Sequence, residues 1–174
     1  MDFKYYLNLH KLGNLIEAEK GYRTLLKKKK VNPSVFTSLG LICKQTERER
    51  ESIKLFKKAI HINSHDELAL NNLGLIFLKN KEYKLAKKYF TSAIKLSKNA
   101  KTYFFLGLIY AEYNFNKAIY CYKESIKIDN SYDISINRSS VKLPICNLEY
   151  LALKNIPDGA TRPLPLICNK NWGP

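Results

Sequence analysis

Large apolar residues cluster around a Leu-Gly pair at three places in the chain. The glycines are Gly40, Gly74 and Gly107, which lie 34 and 33 residues apart. The apolar residues around each glycine are spaced as on a helix, so each block predicts a helix. A second segment with the pattern small, aromatic, small, aliphatic follows each block. These second segments are Ser52–Ile60, Ala86–Ile94 and Ala118–Ile126. The chain therefore predicts a series of helix pairs.

The return of glycine in three successive helices needs a packing reason. A glycine inside a helix costs roughly 1 kcal/mol relative to alanine. Small residues on both helices of a pair let the two backbones approach closely. We expect the aromatic residues between them to fill the wedge between neighbouring pairs.

Polar residues before the apolar blocks predict where helices begin. Asn32 precedes Pro33, an arrangement typical of a helix start. Thr46–Glu49 and Ser64–Glu67 both fit the capping box. The third pair has 11 residues from Gly107 to Ala118, against 12 at the corresponding positions of the second pair. This predicts a tighter turn between its helices.

This pattern resembles the tetratricopeptide repeat, a helix pair of about 34 residues. The resemblance covers residues 1–133, with clear repeats near 33–66, 67–99 and 100–133. Residues 1–32 are interpreted as a degenerate capping unit, because Tyr6 occupies a position that normally holds a small residue. The resemblance implies an all-α, right-handed superhelical solenoid of antiparallel helix pairs. We expect seven helices, with the first helices on the concave face and the second helices on the convex face.

Residues 134–174 depart from the repeat. Five of the six prolines lie at Pro144 or later, and proline interrupts regular helices. We expect an irregular tail with one short helix within 146–155. This tail is interpreted as a cap for the end of the stack or as the start of a missing domain.

The chain contains no recognisable chemistry. It lacks phosphate-binding glycine loops, nucleophile elbows and metal-spaced clusters, so we expect no catalysis, no cofactor, no metal and no small-molecule substrate. Cys43 and Cys121 lie inside the helical blocks and predict buried, reduced thiols. His61 lies in an apolar run and predicts a partly buried structural histidine. Glu47, Glu49 and Glu51 alternate with arginines in a turn, which predicts a solvated charge mixture with unshifted pKa values.

Membrane and export signals are also missing. The amino terminus has no signal-peptide core, and no apolar run reaches the roughly 18 residues that a bilayer span needs. We therefore expect a soluble, cytoplasmic protein.

The resemblance implies that the inward side of each first helix binds a partner. Carried over by register, the predicted groove residues are Thr37, Leu41, Lys44, Gln45, Asn71, Asn72, Leu75, Leu78, Lys79, Lys101, Phe104, Phe105 and Leu108. Leu41, Leu75 and Leu108 would form an apolar ladder along this groove. The alternative is that this ladder reflects only the fit to the neighbouring helix.

One subclass of the family binds the acidic tails of chaperones through lysines, arginines and asparagines. Asn72 and Lys101 match that clamp, but Thr37, Leu41 and Phe105 do not. We therefore do not expect a chaperone tail. The predicted ligand is a more apolar protein or peptide segment, anchored against Phe105 and its neighbour Phe104.

The chain has 30 basic and 15 acidic residues, a net charge of +15. Many of the lysines lie on the second helices, where a basic ridge could attract nucleic acid, an anionic membrane or an acidic partner. The favoured interpretation is that these lysines keep exposed helix faces soluble, because no nucleic-acid-reading motif accompanies them.

Two functions follow from these observations. The first is a non-catalytic adaptor that binds a peptide or a partner helix in the groove. The alternative is an accessory module of a larger enzyme of the transferase type, whose catalytic domain lies elsewhere.

Overall fold

The structure is a computed structural model that describes residues 2–27 and 32–129. These residues contain eight helices. They are α1 (Phe3–Lys11), α2 (Leu15–Leu25), α3 (Pro33–Gln45), α4 (Glu49–Ile62), α5 (Glu67–Lys79), α6 (Tyr83–Leu96), α7 (Ala100–Ala111) and α8 (Phe115–Ile128). The expected number of seven is therefore too low, because both helices of the amino-terminal unit form. The predicted tail at 134–174 lies outside the described residues.

The helices stack in chain order. Each helix contacts the next one, and α5 also contacts α7. Three residues join the two helices of each pair, so the helices of a pair run antiparallel. One buried cluster includes Phe56, Leu73, Phe90 and Leu106 and extends from α4 to α8. A second cluster joins α2, α3 and α4. The core is therefore distributed along the stack.

An aromatic ring lies against the glycine within each clear helix pair. A Cβ added to Gly74 would be 2.5 Å from Cε1 of Phe90, and one added to Gly107 would be 2.5 Å from the ring of Tyr122. These rings therefore pack inside their own pair, whereas the sequence predicted that they fill the wedge between pairs. Ser52 shows the predicted close approach of the backbones, because its hydroxyl donates to the carbonyl of Gly40 at 2.9 Å.

The amino-terminal unit reverses this arrangement. Tyr6 on α1 lies over Gly21 on α2, where an added Cβ would be 2.1 Å from the tyrosine ring. The glycine is thus on the second helix and the aromatic residue is on the first. This explains how a tyrosine fits at the position that the repeat reserves for a small residue.

The turn between α7 and α8 differs from the other turns within pairs in its backbone conformation, although it has the same length, so the predicted tighter turn is not seen as a shorter one. Gly13, Glu47 and Lys81 have positive φ angles of 81°, 59° and 60° in the first three pairs. In each of these turns the next amide donates to a carbonyl five residues earlier, as in the bond of Arg48 N–H to the Cys43 carbonyl at 2.8 Å. No left-handed residue occurs between α7 and α8. The missing residue in this pair therefore changes the turn.

The two predicted buried cysteines are confirmed. Cys43 and Cys121 are buried free thiols, and burial raises the pKa of each to about 11. None of the described helices has the length and apolarity that a membrane span requires.

Candidate functional site

A cleft of about 590 Å³ opens between α3, α5 and α7. We call this space the cleft. Its lining residues are Leu41, Lys44, Glu67, Leu68, Asn71, Asn72, Leu75, Phe90, Asn99, Lys101, Thr102 and Phe105. The first helices of the three clear repeats thus share one concave surface.

The floor of the cleft is apolar. Leu41, Leu75 and Phe105 are each half-buried, so part of every side chain faces the cleft. Phe105 stacks on the buried Phe90, with ring centroids 5.6 Å apart and an interplanar angle of 14°. Leu68 adds an apolar surface that is 51% exposed. The floor therefore offers several contacts to an apolar side chain.

Two asparagines in the cleft are held by neighbouring residues. Lys44 Nζ donates to Oδ1 of Asn72 at 2.8 Å, and Nδ2 of Asn72 donates to the carbonyl of Leu68 at 2.8 Å. Oδ1 of Asn71 accepts from the hydroxyl of Thr102 at 2.9 Å. These amides therefore fix the positions of adjacent helices, in addition to facing the cleft.

The cleft contains two lysines and one glutamate, so its net charge is positive. Burial and the nearby charge of Lys101 lower the pKa of the Lys44 ammonium. The two ammonium groups therefore repel each other across the cleft. A negative group placed between them would reduce this repulsion.

The structure brings seven of the predicted groove residues together. These are Leu41, Lys44, Asn71, Asn72, Leu75, Lys101 and Phe105. The other six do not line the cleft. They are Thr37, Gln45, Leu78, Lys79, Phe104 and Leu108.

Three of these six residues belong to the packing between helices. Thr37 is buried, and its hydroxyl donates to Asp66 at 2.5 Å. Phe104 is buried with its ring centroid 5.9 Å from that of Tyr122. Leu108 packs against the same cluster as Phe104. The cleft therefore contains two members of the predicted leucine ladder and not the third.

The remaining three residues have other contacts. Gln45 Oε1 lies 3.3 Å from Nε2 of His10, and Lys79 Nζ lies 3.6 Å from a carboxylate oxygen of Glu49. Leu78 packs against the buried cluster that extends from α4 to α8.

Sequence reasoning missed five residues of the cleft. These are Glu67, Leu68, Phe90, Asn99 and Thr102. Asn99 caps the start of α7, and Leu68 lies in the first turn of α5. The available signal for Asn99 was its position directly before a first helix, a position that Asn32 and Asp66 also occupy but without lining the cleft.

Four charged residues form a network between α2 and the start of α4. The guanidinium of Arg48 donates to both carboxylate oxygens of Glu19, at 2.7 and 2.5 Å. Arg23 donates to Glu19 at 2.8 Å and to Glu51 at 2.7 Å. Arg48 also donates to Glu51 at 3.3 Å. This network ties the first unit to the second.

The network corrects the prediction that Glu51 has an unshifted pKa. The hydrogen bonds from Arg48 lower the pKa of the Glu19 carboxyl. Those from Arg23 lower the pKa of the Glu51 carboxyl. The sequence did not indicate this because two of the four residues lie on α2, about 30 residues before their partners.

His61 is exposed, so its prediction as a partly buried histidine is wrong. Its position on α4 faces away from the core. Across residues 2–27 and 32–129, no group of three or more His, Cys, Asp or Glu side chains could hold a metal ion.

Two family models of the tetratricopeptide repeat match the chain, one over residues 33–66 and one over residues 67–100. Each match covers one of the helix pairs described above, α3–α4 and α5–α6. The repeat period predicted from the glycines is thus the period of the family.

Several solved structures are similar. MamA from Desulfovibrio magneticus RS-1 is 20% identical, with a TM-score of 0.68 over 87% of this chain and 84% of that chain. Another MamA structure is 25% identical, with a TM-score of 0.66 over 76% and 77%. YrrB, a tetratricopeptide-repeat protein with an unusual peptide-binding site, is 19% identical, with a TM-score of 0.61 over 71% and 65%. The predicted all-α, right-handed superhelical solenoid is confirmed.

Proposed function

We propose that this chain, which contains tetratricopeptide repeats, is a non-catalytic adaptor that binds an extended peptide or a partner helix in the cleft. The alternative of an accessory module of a transferase-type enzyme stays a prediction.

The exposed apolar floor is the observation that supports this proposal. Leu68 and the half-buried Leu41, Leu75 and Phe105 face a concave space. Apolar surface in contact with water is unfavourable, and an apolar side chain from a partner would remove it from water. The peptide-binding site of the similar protein YrrB supports the same use of this fold.

The charges of the cleft support a particular class of ligand. Lys44 and Lys101 repel each other, and a carboxylate from the partner would relieve that repulsion. The ligand is therefore a segment with an apolar anchor and a nearby acidic group. A chaperone tail is a poorer fit, because the buried Thr37 and the apolar Leu41 offer no free polar group at two of the clamp positions.

A displayed library of random peptides tests the proposal. Peptides are selected on the intact chain, and their binding is then measured by fluorescence anisotropy against a variant with Leu68→Ser and Lys101→Gln. We expect about tenfold weaker binding or worse, since both side chains line the cleft. The control carries Ile16→Ser and Lys20→Gln on α2, where Ile16 is 67% exposed, and it should bind like the parent chain.

Both variants change one exposed apolar residue and one exposed lysine, so their effects on solubility and charge are matched. Selected peptides that bind both variants with the parent affinity would show that the cleft is not the binding site.

A further inference from the structure

Helices α6 and α8 carry an excess of positive charge. Helix α6 contains four lysines and no acidic residue. Helix α8 contains three lysines and one glutamate. The number of lysines alone is explained by the need to keep exposed helix faces soluble. However, the structure places some of these lysines beside aromatic rings and a cavity.

This cavity has a volume of about 650 Å³ and lies at the start of α6. Its lining includes three lysines, two tyrosines and a leucine, namely Lys81, Lys84, Lys87, Tyr83, Tyr113 and Leu85. Glu82 is the carboxylate in this lining. The cavity shares no lining residue with the cleft, so the two are separate surfaces.

Tyrosine rings position two of the ammonium groups. Lys87 Nζ lies 5.5 Å from the ring centroid of Tyr113 and 5.9 Å from that of Tyr110. Lys117 Nζ lies 5.7 Å from the centroid of Tyr110. A neutral ring attracts a cation without cancelling its charge. Among the described residues, Lys84, Lys87 and Lys117 form no ion pair with a carboxylate, so these charges remain available to an anion.

Tyr113 supplies an open aromatic surface beside these charges. It lies in the turn between α7 and α8, is 56% exposed, and is tilted by 57° relative to the ring of Tyr110. One part of the ring faces Lys87 and the rest faces solvent. Single-stranded nucleic acid is bound by this combination, because bases stack on exposed rings while lysines contact the phosphates.

We propose that Lys84, Lys87, Lys117 and Tyr113 form a surface that binds single-stranded nucleic acid without sequence preference. We call it the lysine-tyrosine surface. A base stacks on the ring of Tyr113, and the lysines contact adjacent phosphates. An acidic peptide would use the lysines alone and give the exposed ring no role, so the aromatic component favours nucleic acid.

The charge component is tested by salt-dependent binding of a labelled oligouridine of about twelve nucleotides, measured by fluorescence anisotropy on the intact chain. For a variant with Lys84→Gln, Lys87→Gln and Lys117→Gln, the slope of log affinity against log salt should fall by about 2, since each phosphate contact contributes about 0.7. A control with Lys4→Gln, Lys11→Gln and Lys20→Gln removes the same charge from α1 and α2. It should keep nearly the full slope.

The contribution of the Tyr113 ring to binding is tested with substitutions at two exposed tyrosines. Tyr113→Ala should weaken binding about tenfold, which is typical of the loss of one base-stacking ring. Tyr120→Ala is the matched control, because Tyr120 is 58% exposed but does not line the cavity. Tyr113→Phe keeps the ring and should bind like the parent chain. Circular dichroism and thermal melts establish that each variant is folded.

Several results would overturn the proposal. One is the absence of binding at low salt. Another is an equal loss of affinity in the two triple-lysine variants. A third is that Tyr113→Ala binds normally while a poly-glutamate of equal charge competes as well as the oligouridine, which would assign the surface to acidic peptides.

Discussion

In each clear repeat, an aromatic ring from the second helix covers the glycine of the first. The closest ring atom would lie 2.5 Å from a Cβ added to Gly74 and 2.8 Å from one added to Gly40. Phe90, which covers Gly74, is fully buried and stacks on Phe105, so a shift of its ring would disturb that packing. The glycine is therefore required by the ring that packs on it.

This contact predicts that Gly74→Ala destabilises the protein. The better helix propensity of alanine should contribute about 1 kcal/mol of stability, but overpacking against Phe90 should cost more, for a net loss of about 1–2 kcal/mol. A thermal melt should show a decrease of roughly 2–4 °C per kcal/mol.

The same substitution at Gly40 is the comparison, since its longer distance to Phe56 predicts a smaller loss. In addition, Phe90→Leu should cost less in the Gly74→Ala background than in the parent chain, because it removes the ring that clashes. A melt that Gly74→Ala leaves unchanged would contradict this explanation of the glycine.

Individual groove residues were only partly predictable from the sequence. The repeat register identifies which side of a first helix faces inward, and it identified seven residues of the cleft. It does not show which neighbouring side chain covers a given position. Thr37 is on the expected helix, but it donates a hydrogen bond to Asp66, the cap residue of α5. Phe104 is also on the expected helix, but its ring packs against Tyr122 of α8.

At the level of the helix, the predicted starts were also only partly correct. Asn32 caps α3 as predicted, with its Oδ1 accepting from the amide of Ser34 at 3.0 Å. The two predicted capping boxes are wrong. The hydroxyl of Thr46 instead donates to a carbonyl at the end of α3, and Asp66 rather than Ser64 caps α5. Local sequence shows which residues can cap a helix, but not which of two adjacent candidates is used.

The ion network is a link between elements that the sequence did not reveal. We predict that Glu19→Gln destabilises the protein by about 1 kcal/mol at neutral pH, because the forked hydrogen bonds from Arg48 are lost. The effect is limited because both arginines are more than a third exposed and solvent screens their charges. Chemical denaturation of the variant and the parent measures the difference.

This difference should depend on pH. The pKa of Glu19 is lower in the folded protein than its ordinary value of 4.5, so the carboxylate stabilises the folded state fully above that value. The stabilisation is lost as the pH falls below 4.5 and the folded protein takes up the proton. Glu47→Gln is the control, because Glu47 is exposed and lies outside the network. A constant difference between Glu19→Gln and the parent from neutral pH to strongly acidic pH would contradict the role of this ion pair.

At the scale of the whole molecule, stability varies along the stack. The largest buried cluster extends from α4 to α8, whereas α1 has no fully buried residue. In a repeat stack each unit is stabilised by its own contacts and those with its neighbours. The sequence predicted a degenerate first unit from Tyr6. The packing of this tyrosine on Gly21 could not be predicted from the sequence, because the family pattern has the glycine on the other helix.

This arrangement predicts that Gly21→Ala detaches α1 selectively. An added Cβ would be 2.1 Å from the ring of Tyr6, and Tyr6 is half-buried, so α1 can move away without disturbing α5 and α6. Hydrogen exchange measured by mass spectrometry should be about tenfold faster in peptides from α1, and unchanged in α5 and α6. Lys20→Ala, an exposed change on the same helix, should leave every peptide like the parent. Faster exchange in all helices of Gly21→Ala would contradict this prediction. It would mean that the stack unfolds as one cooperative unit, so that loss of an end repeat destabilises every other repeat.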